Sequence, residues 1–176
     1  KIWKKFSGPL LNGKTVGIVG FGHIGKQLSL LLKAFNCKVL AFDVYKDESF
    51  AADNAVIFKD INDLLSESDI ISLHLDLNTQ TRRFINGEKL EKMKSNCLLV
   101  NASRGEIIDE EALYLSLENK KIMGACLDVY NKEPYNGPLL DLDNVLLTPH
   151  IGSYANEIRI KMELEATNNL INELLK

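Results

Sequence analysis

Three glycines in the spacing Gly20-x-Gly22-x-x-Gly25 stand between an apolar run, TVGIVG at 15–20, and a stretch with helical spacing of apolar residues over 24–35. A lone match to this spacing is a weak signal, because many such turns are incidental. Here the turn follows a strand, opens a helix, and leads to a second apolar run ending in Asp43, 18 residues after Gly25. That context makes it the fingerprint of a dinucleotide-binding unit. Gly20 permits the sharp turn, Gly22 leaves bare backbone for a pyrophosphate, and Gly25 lets the helix approach the strand. The helix start offers unpaired N–H groups and a partial positive charge to the phosphates. A carboxylate at Asp43 accepts hydrogen bonds from an adenosine ribose and repels a 2′-phosphate, so NAD is expected over NADP. Lys46 lies nearby, but no Arg follows Asp43 directly. For His23, inside the loop, the backbone amide is expected to matter more than the ring.

The rest of the chain repeats the alternation. KVLAFD (38–43), AVIF (55–58), DIISLHL (69–75), CLLVNAS (97–103), IMGACLDV (122–129) and NVLLTPH (144–150) read as further strands. Most are continuous apolar runs, as expected for strands covered on both faces. Helices are expected over 24–35, 60–67, 87–94, 109–119 and 153–175, with Asp60 and Asp109 as N-caps. The implied fold is α/β: a doubly wound, mostly parallel sheet of Rossmann type with helices on both faces.

At 176 residues the chain suits a single domain. Its net charge of -3 argues against nucleic acid or an anionic membrane as the main partner. No apolar segment reaches the roughly 18 residues of a membrane span. The start lacks the apolar core of a secretion signal and has no initiator Met, so the chain is expected to be a piece of a longer one. Cys37, Cys97 and Cys126 show no metal-ligand spacing and are expected to be small buried apolar residues, with a reducing cytoplasm as the setting. No metal is expected.

In open α/β sheets ligands bind outside the carboxyl ends of the strands. Arg104 after LLVNAS, Glu133 after LDVYNK and His150 after NVLLTP stand at such positions. Each alone has a bland reading as a solvated or backbone-bonded side chain. Together, the segments LLVNASRGEIIDEEAL, GACLDVYNKEP and VLLTPHIGSYANE, in this order behind the glycine turn, closely resemble the D-isomer-specific 2-hydroxyacid dehydrogenases, the phosphoglycerate dehydrogenase-like family. The resemblance runs from about Leu11 to the last helix.

The resemblance implies an NAD-dependent oxidoreductase interconverting a 2-hydroxy acid and a 2-oxo acid. It implies that Arg104 binds the substrate carboxylate and helps polarise the carbonyl, with His150 as general acid/base and Glu133 as its carboxylate partner. Asp128 would lie near the nicotinamide, Ala102, Ser103, Gly152 and Ser153 would line the cofactor side, and His23 and Ile24 would give backbone contacts to the pyrophosphate. These roles are chemically coherent. A guanidinium stabilises the charge that grows on the carbonyl oxygen, and an imidazole supplies the proton. A nearby carboxylate favours the imidazolium form, so Glu133→Gln is expected to move the pH dependence of reduction to lower pH.

The segment SLHLDLNTQTRRFIN resembles a family stretch that borders the adenosine site, which places His74, Leu75, Asp76 and Thr81 among the cofactor-lining residues. It departs from the family in having Asp76 where Pro is usual and Asn78 where Thr is usual. Glu133, where the related formate dehydrogenases carry Gln, argues against formate as substrate. The resemblance further implies that a substrate domain of the parent enzyme lies outside this chain, that the chain alone turns over little or no 2-oxo acid, and that the cofactor domain forms a homodimer with Trp3 in the contacting arm. Two other readings stay open at this point: a corepressor-like protein that senses NAD(H), and a structural module without cofactor.

Overall fold

The structure is a computed structural model that describes residues 8–175; the KIWKKF segment with Trp3 lies outside them. Seven strands, β1 (Thr15–Val19), β2 (Lys38–Phe42), β3 (Val56–Phe58), β4 (Ile70–Leu73), β5 (Leu98–Asn101), β6 (Gly124–Leu127) and β7 (Val145–Leu147), form one sheet in the order β3-β2-β1-β4-β5-β6-β7. All six pairings are parallel. The order reverses between β1 and β4, and this switch point is where a doubly wound sheet opens a crevice. The expected strands are all present, each trimmed at its ends.

Among the described residues six α-helices accompany them, five between strands, α1 (His23–Lys33), α2 (Glu48–Asn54), α3 (Ile61–Glu67), α4 (Gly87–Glu91) and α5 (Glu110–Glu118), and α6 (Asn156–Leu174) after β7. Helix α2 was not expected, because its two turns carry too few apolar residues to show a helical period. Its start is nonetheless well made, with the Asp47 carboxylate accepting from the Phe50 amide at 3.0 Å. Asp109 caps α5 in the same way through the Ala112 amide. Asp60 does sit at the N-cap of α3, but its side chain makes no cap bond. Its carbonyl makes the ordinary first helix bond, accepting from the Leu64 amide, and the residue is exposed.

Two apolar clusters hold the layers together. Val16, Ile18, Val39 and Ala41 pack with Leu32 and Ala51 on one face. Leu40, Ile71, Leu73, Leu99, Ala125 and Leu127 pack with Leu64, Leu90 and Leu113 on the other. Because side chains alternate across a strand, Ile70, Leu98, Val100, Cys126 and Leu146 point to the first face, and there they are half-buried or exposed. Helices do lie on both faces, but they cover that half of one face only in part. Among the cysteines, Cys97 is buried as expected, whereas Cys37 and Cys126 are only half-buried.

Candidate active site

The glycine turn is built as its spacing predicts. Gly20 has φ +93°, and a Cβ there would lie 2.5 Å from the His74 carbonyl oxygen. A Cβ on Gly25 would lie 2.4 Å from the Gly20 carbonyl oxygen, so α1 could not approach β1 with any other residue. Gly22 meets nothing within 4 Å and faces open space. Between them Phe21 is buried, its ring meeting Phe50 and Phe58 edge-on at 5.8 and 5.4 Å, which anchors the turn. No side chain caps α1, whereas α2, α4 and α5 are capped by Asp47, Asn86 and Asp109. The first-turn amides of α1, His23 and Ile24 included, are left for an anion.

Asp43 follows β2 at the same edge. Its carboxylate accepts from the Phe21 amide at 2.6 Å and the Tyr45 amide at 2.9 Å, and retains acceptor capacity on both oxygens. A cleft of about 540 Å³ opens here, lined by Phe21, Gly22, Lys26, Asp43, Tyr45, Lys46 and Asp47. Lys26 pairs with Asp47 at 2.5 Å, and that hydrogen bond, aided by the Phe50 amide, holds the Asp47 carboxyl below its usual range. A turn with room at Gly22, uncapped amides and a fixed carboxylate together fit a dinucleotide.

The stretch after β4 lies against this turn. His74 donates its amide to the Val19 carbonyl, and its Nε2 is 2.9 Å from the Ser72 hydroxyl. Burial pushes its pKa down, which favours the neutral ring. Leu75 is half-buried and Asp76 is exposed. The Thr81 hydroxyl donates to the Asp76 carbonyl at 2.6 Å. The Asn78 side chain accepts from the amides of Gln80 and Thr81. The two departures from the family pattern thus sit in a turn closed by its own side chains.

Arg104, Glu133 and His150 follow the carboxyl ends of β5, β6 and β7, three neighbouring strands. Asn101, fully buried at the end of β5, organises the first of these loops. Its side-chain oxygen accepts from the Ser103 amide and hydroxyl, and its amide group donates to the Arg104 carbonyl. Ala102 and Arg104 are exposed, and the guanidinium donates to the Ser103 carbonyl at 2.7 Å. The His150 Nδ1 lies 2.8 Å from Glu133 Oε2, while Glu133 Oε1 accepts from the Tyr130 amide at 3.2 Å. The hydrogen bond from His150 holds the Glu133 carboxyl below its usual range. His150 has φ +54°, a conformation that costs roughly 1–2 kcal/mol for a residue other than glycine. Asp128 Oδ1 accepts from Thr148 Oγ1 at 2.5 Å and the Ile151 amide at 2.9 Å, and Oδ2 from the Gly152 amide at 2.8 Å. Burial pushes the Asp128 carboxyl up, but these bonds outweigh it and hold it low. Gly152 and Ser153 are exposed in the turn beyond. The sequence reading missed Asn101, Thr148 and Gly105; an Asn closing an apolar strand and a Thr before Pro149 were the available signals.

Residues 1–152 match the model of the D-isomer specific 2-hydroxyacid dehydrogenase NAD binding domain. The chain belongs to this family. It is 41% identical to a hydroxypyruvate reductase of Thermotoga maritima, aligned over 98% of this chain and 57% of that protein. It is 40% identical to a D-3-phosphoglycerate dehydrogenase of Methanocaldococcus jannaschii, over 98% of this chain and 32% of that one. Among solved structures it resembles a D-lactate dehydrogenase from Aquifex aeolicus complexed with NAD and lactic acid, with a TM-score of 0.88, 30% identity, and coverage of 99% of this chain and 57% of the other. The chain therefore spans about half or less of the length of these relatives, and corresponds to their NAD-binding part. No helix among the described residues is long and apolar enough to cross a membrane.

Proposed function

We propose that the parent protein is an NAD-dependent dehydrogenase that interconverts a small 2-hydroxy acid and its 2-oxo acid. The observation that carries this reading is the 2.8 Å contact of His150 Nδ1 with Glu133, on the same edge of the sheet as the glycine turn and Arg104. Bound NADH supplies the hydride to the carbonyl carbon. The His150 ring, held at Nδ1 by Glu133, presents Nε2 to the carbonyl oxygen and gives it a proton. Arg104 pairs with the substrate carboxylate through its planar fork and stabilises the charge growing on the oxygen. His23, Ile24, Gly20, Gly22 and Gly25 hold the pyrophosphate. Asp43 takes the ribose. Leu75, Asp76, Thr81, Ala102, Ser103, Asp128, Gly152 and Ser153 border the cofactor. The relatives above are named for reductase and dehydrogenase activities, which supports an enzyme over a corepressor-like protein.

The same reading places the substrate domain in further length of the parent, a homodimer contact on the cofactor domain, and the protein in the cytoplasm. The three free cysteines accord with a reducing setting. The test is a screen of the parent protein against a panel of small 2-oxo acids, following NADH absorbance. Oxidation of NADH by at least one acid, lost in His150→Ala and Arg104→Ala, is expected; no turnover with any member rejects the activity. In the active parent, Glu133→Gln is expected to shift the pH dependence of reduction to lower pH, because the carboxylate favouring imidazolium is gone. An unchanged profile removes Glu133 from that role.

A further inference from the structure

We propose that Asp128 is a positioning residue, whose carboxylate holds the turn from Thr148 to Gly152 in the shape that brings the His150 ring to Glu133. The inference rests on the reading of His150 and Glu133 as the proton-handling pair. The backbone carries it. His150 has φ +54°, a left-handed conformation that a side chain with a Cβ keeps only when its surroundings over-determine it. Thr148 is held independently of Asp128, its amide donating to the Leu127 carbonyl at 3.0 Å and its carbonyl accepting from the Tyr130 hydroxyl at 2.8 Å and the His150 amide at 3.0 Å, but beyond His150 the turn has the Tyr154 amide on the Ile151 carbonyl at 3.0 Å and little else.

Asp128 supplies what those bonds do not. Its three donors flank the histidine on both sides: the Thr148 hydroxyl two residues before, and the Ile151 and Gly152 amides one and two residues after. The carboxylate thus spans His150 and acts on it through its neighbours. Asp128 is itself fixed, since it directly follows β6 and its amide donates to the Asn101 carbonyl at 2.9 Å. The partner side is fixed from the same loop, through the Tyr130 amide on Glu133 Oε1. One short segment after β6 therefore sets both members of the pair. These three bonds account for the placement of Asp128, and Oδ2, with a single donor, keeps room for one more.

The tautomer of the neutral His150 ring reads this directly, because the hydrogen bond at one ring nitrogen decides which nitrogen carries the proton. In the chain without cofactor, long-range 1H–15N spectra are expected to show His150 protonated at Nδ1, toward Glu133. The other two histidines, His23 and His74, report on the fold. Asp128→Ala removes all three acceptor bonds and is expected to abolish the Nδ1–H form while His23 and His74 keep their signals. Asp128→Asn keeps one oxygen for Thr148 and Ile151 but turns an amide toward the Gly152 N–H, so a partial loss is expected. An unchanged His150 signal in Asp128→Ala overturns the proposal, and weakened NAD binding by calorimetry in that variant then assigns Asp128 to cofactor contact instead. Should Asp128→Ala not fold, Asp128→Asn decides: partial loss supports the clamp, and a wild-type spectrum rejects it. A wild-type chain that fails to bind NAD would sink the proposed activity and leave the tautomer result standing, so the two failures are separable.

Discussion

Between Gly105 and the backbone of Tyr130 there is no space for even one carbon: a Cβ at 105 would lie 2.0 Å from the Tyr130 carbonyl carbon and 2.6 Å from the Asn131 nitrogen. This close approach joins the loop that presents Arg104 to the loop that presents Glu133. Its obstacle is backbone, which cannot swing aside as a side-chain tip can. Gly105→Ala is therefore expected to destabilise the fold by about 3 kcal/mol, the upper end for an overpacked site, measured as a lowered midpoint in thermal or urea unfolding. Gly22 is the opposite case, with nothing within 4 Å of its missing Cβ. Gly22→Ala is expected to leave stability within about 0.5 kcal/mol yet weaken NAD binding in calorimetry, because the added methyl occupies room meant for the diphosphate. If stability falls and affinity does not, Gly22 is a folding residue and the phosphate reading of the turn is wrong. The sequence spacing announced Gly22 but not Gly105, since the latter's constraint comes from a chain segment 25 residues away.

Elements whose logic is local were legible from the residues, and those whose logic is tertiary were not. The seven strands show as apolar runs because a strand buried on one or both faces needs nothing else. Helix α2 was hidden because only Ala51 of its residues is buried. Asp60 stands at the N-cap position its residue type suggests, but its exposed side chain makes no cap bond, which residue type alone does not decide. His150 and Glu133 could be paired only through a family pattern, since 17 residues and a strand separate them. At the other edge of the sheet, Asp69 joins elements that no motif connects. Its carboxylate accepts from the Thr15 amide at the start of β1 at 3.0 Å and from Lys94 at 2.9 Å. Burial pushes this carboxyl up, but the Thr15 and Lys94 bonds prevail and hold it below its usual range. A carboxyl lowered by folding binds protons more readily in the unfolded chain. Its stabilisation is thus fully present above the ordinary Asp value of about 3.9 and is lost as pH falls through the depressed one. Asp69→Asn is expected to cost about 1.5–3 kcal/mol at neutral pH and to flatten the acid side of a stability-against-pH curve. An equal acid slope in both proteins would deny Asp69 this role.

At the scale of the molecule, the unequal covering of the sheet bears on assembly. The face shared by α3, α4 and α5 is sealed, with Leu64, Leu73, Leu99 and Leu113 all at 1% exposure or less. On the opposite side, the half built from β4 to β7 leaves Ile70, Leu98, Val100 and Cys126 half-buried, and Leu146 is 62% exposed. Helix α6 adds to this, for none of its residues is buried, and Ile158, Met162, Leu164 and Leu170 are each about half or more in water. Apolar sheet surface left uncovered in this way marks an interaction site in a folded protein. Water is a poor neighbour for it, so two copies of the chain gain by covering each other's surface. The 176-residue chain is therefore expected to self-associate as its concentration rises, in line with the homodimer proposed above. Leu146→Lys sets a charge on the edge strand β7 of the uncovered half-face, where an exposed side chain contributes little to folding, so the variant is expected to keep the wild-type thermal midpoint and to move toward monomer in sedimentation velocity. Wild-type chain that remains monomeric across the accessible concentration range would remove self-association through this face. Association that Leu146→Lys leaves intact would move the contact elsewhere, with the exposed ridge of α6 the next surface to substitute.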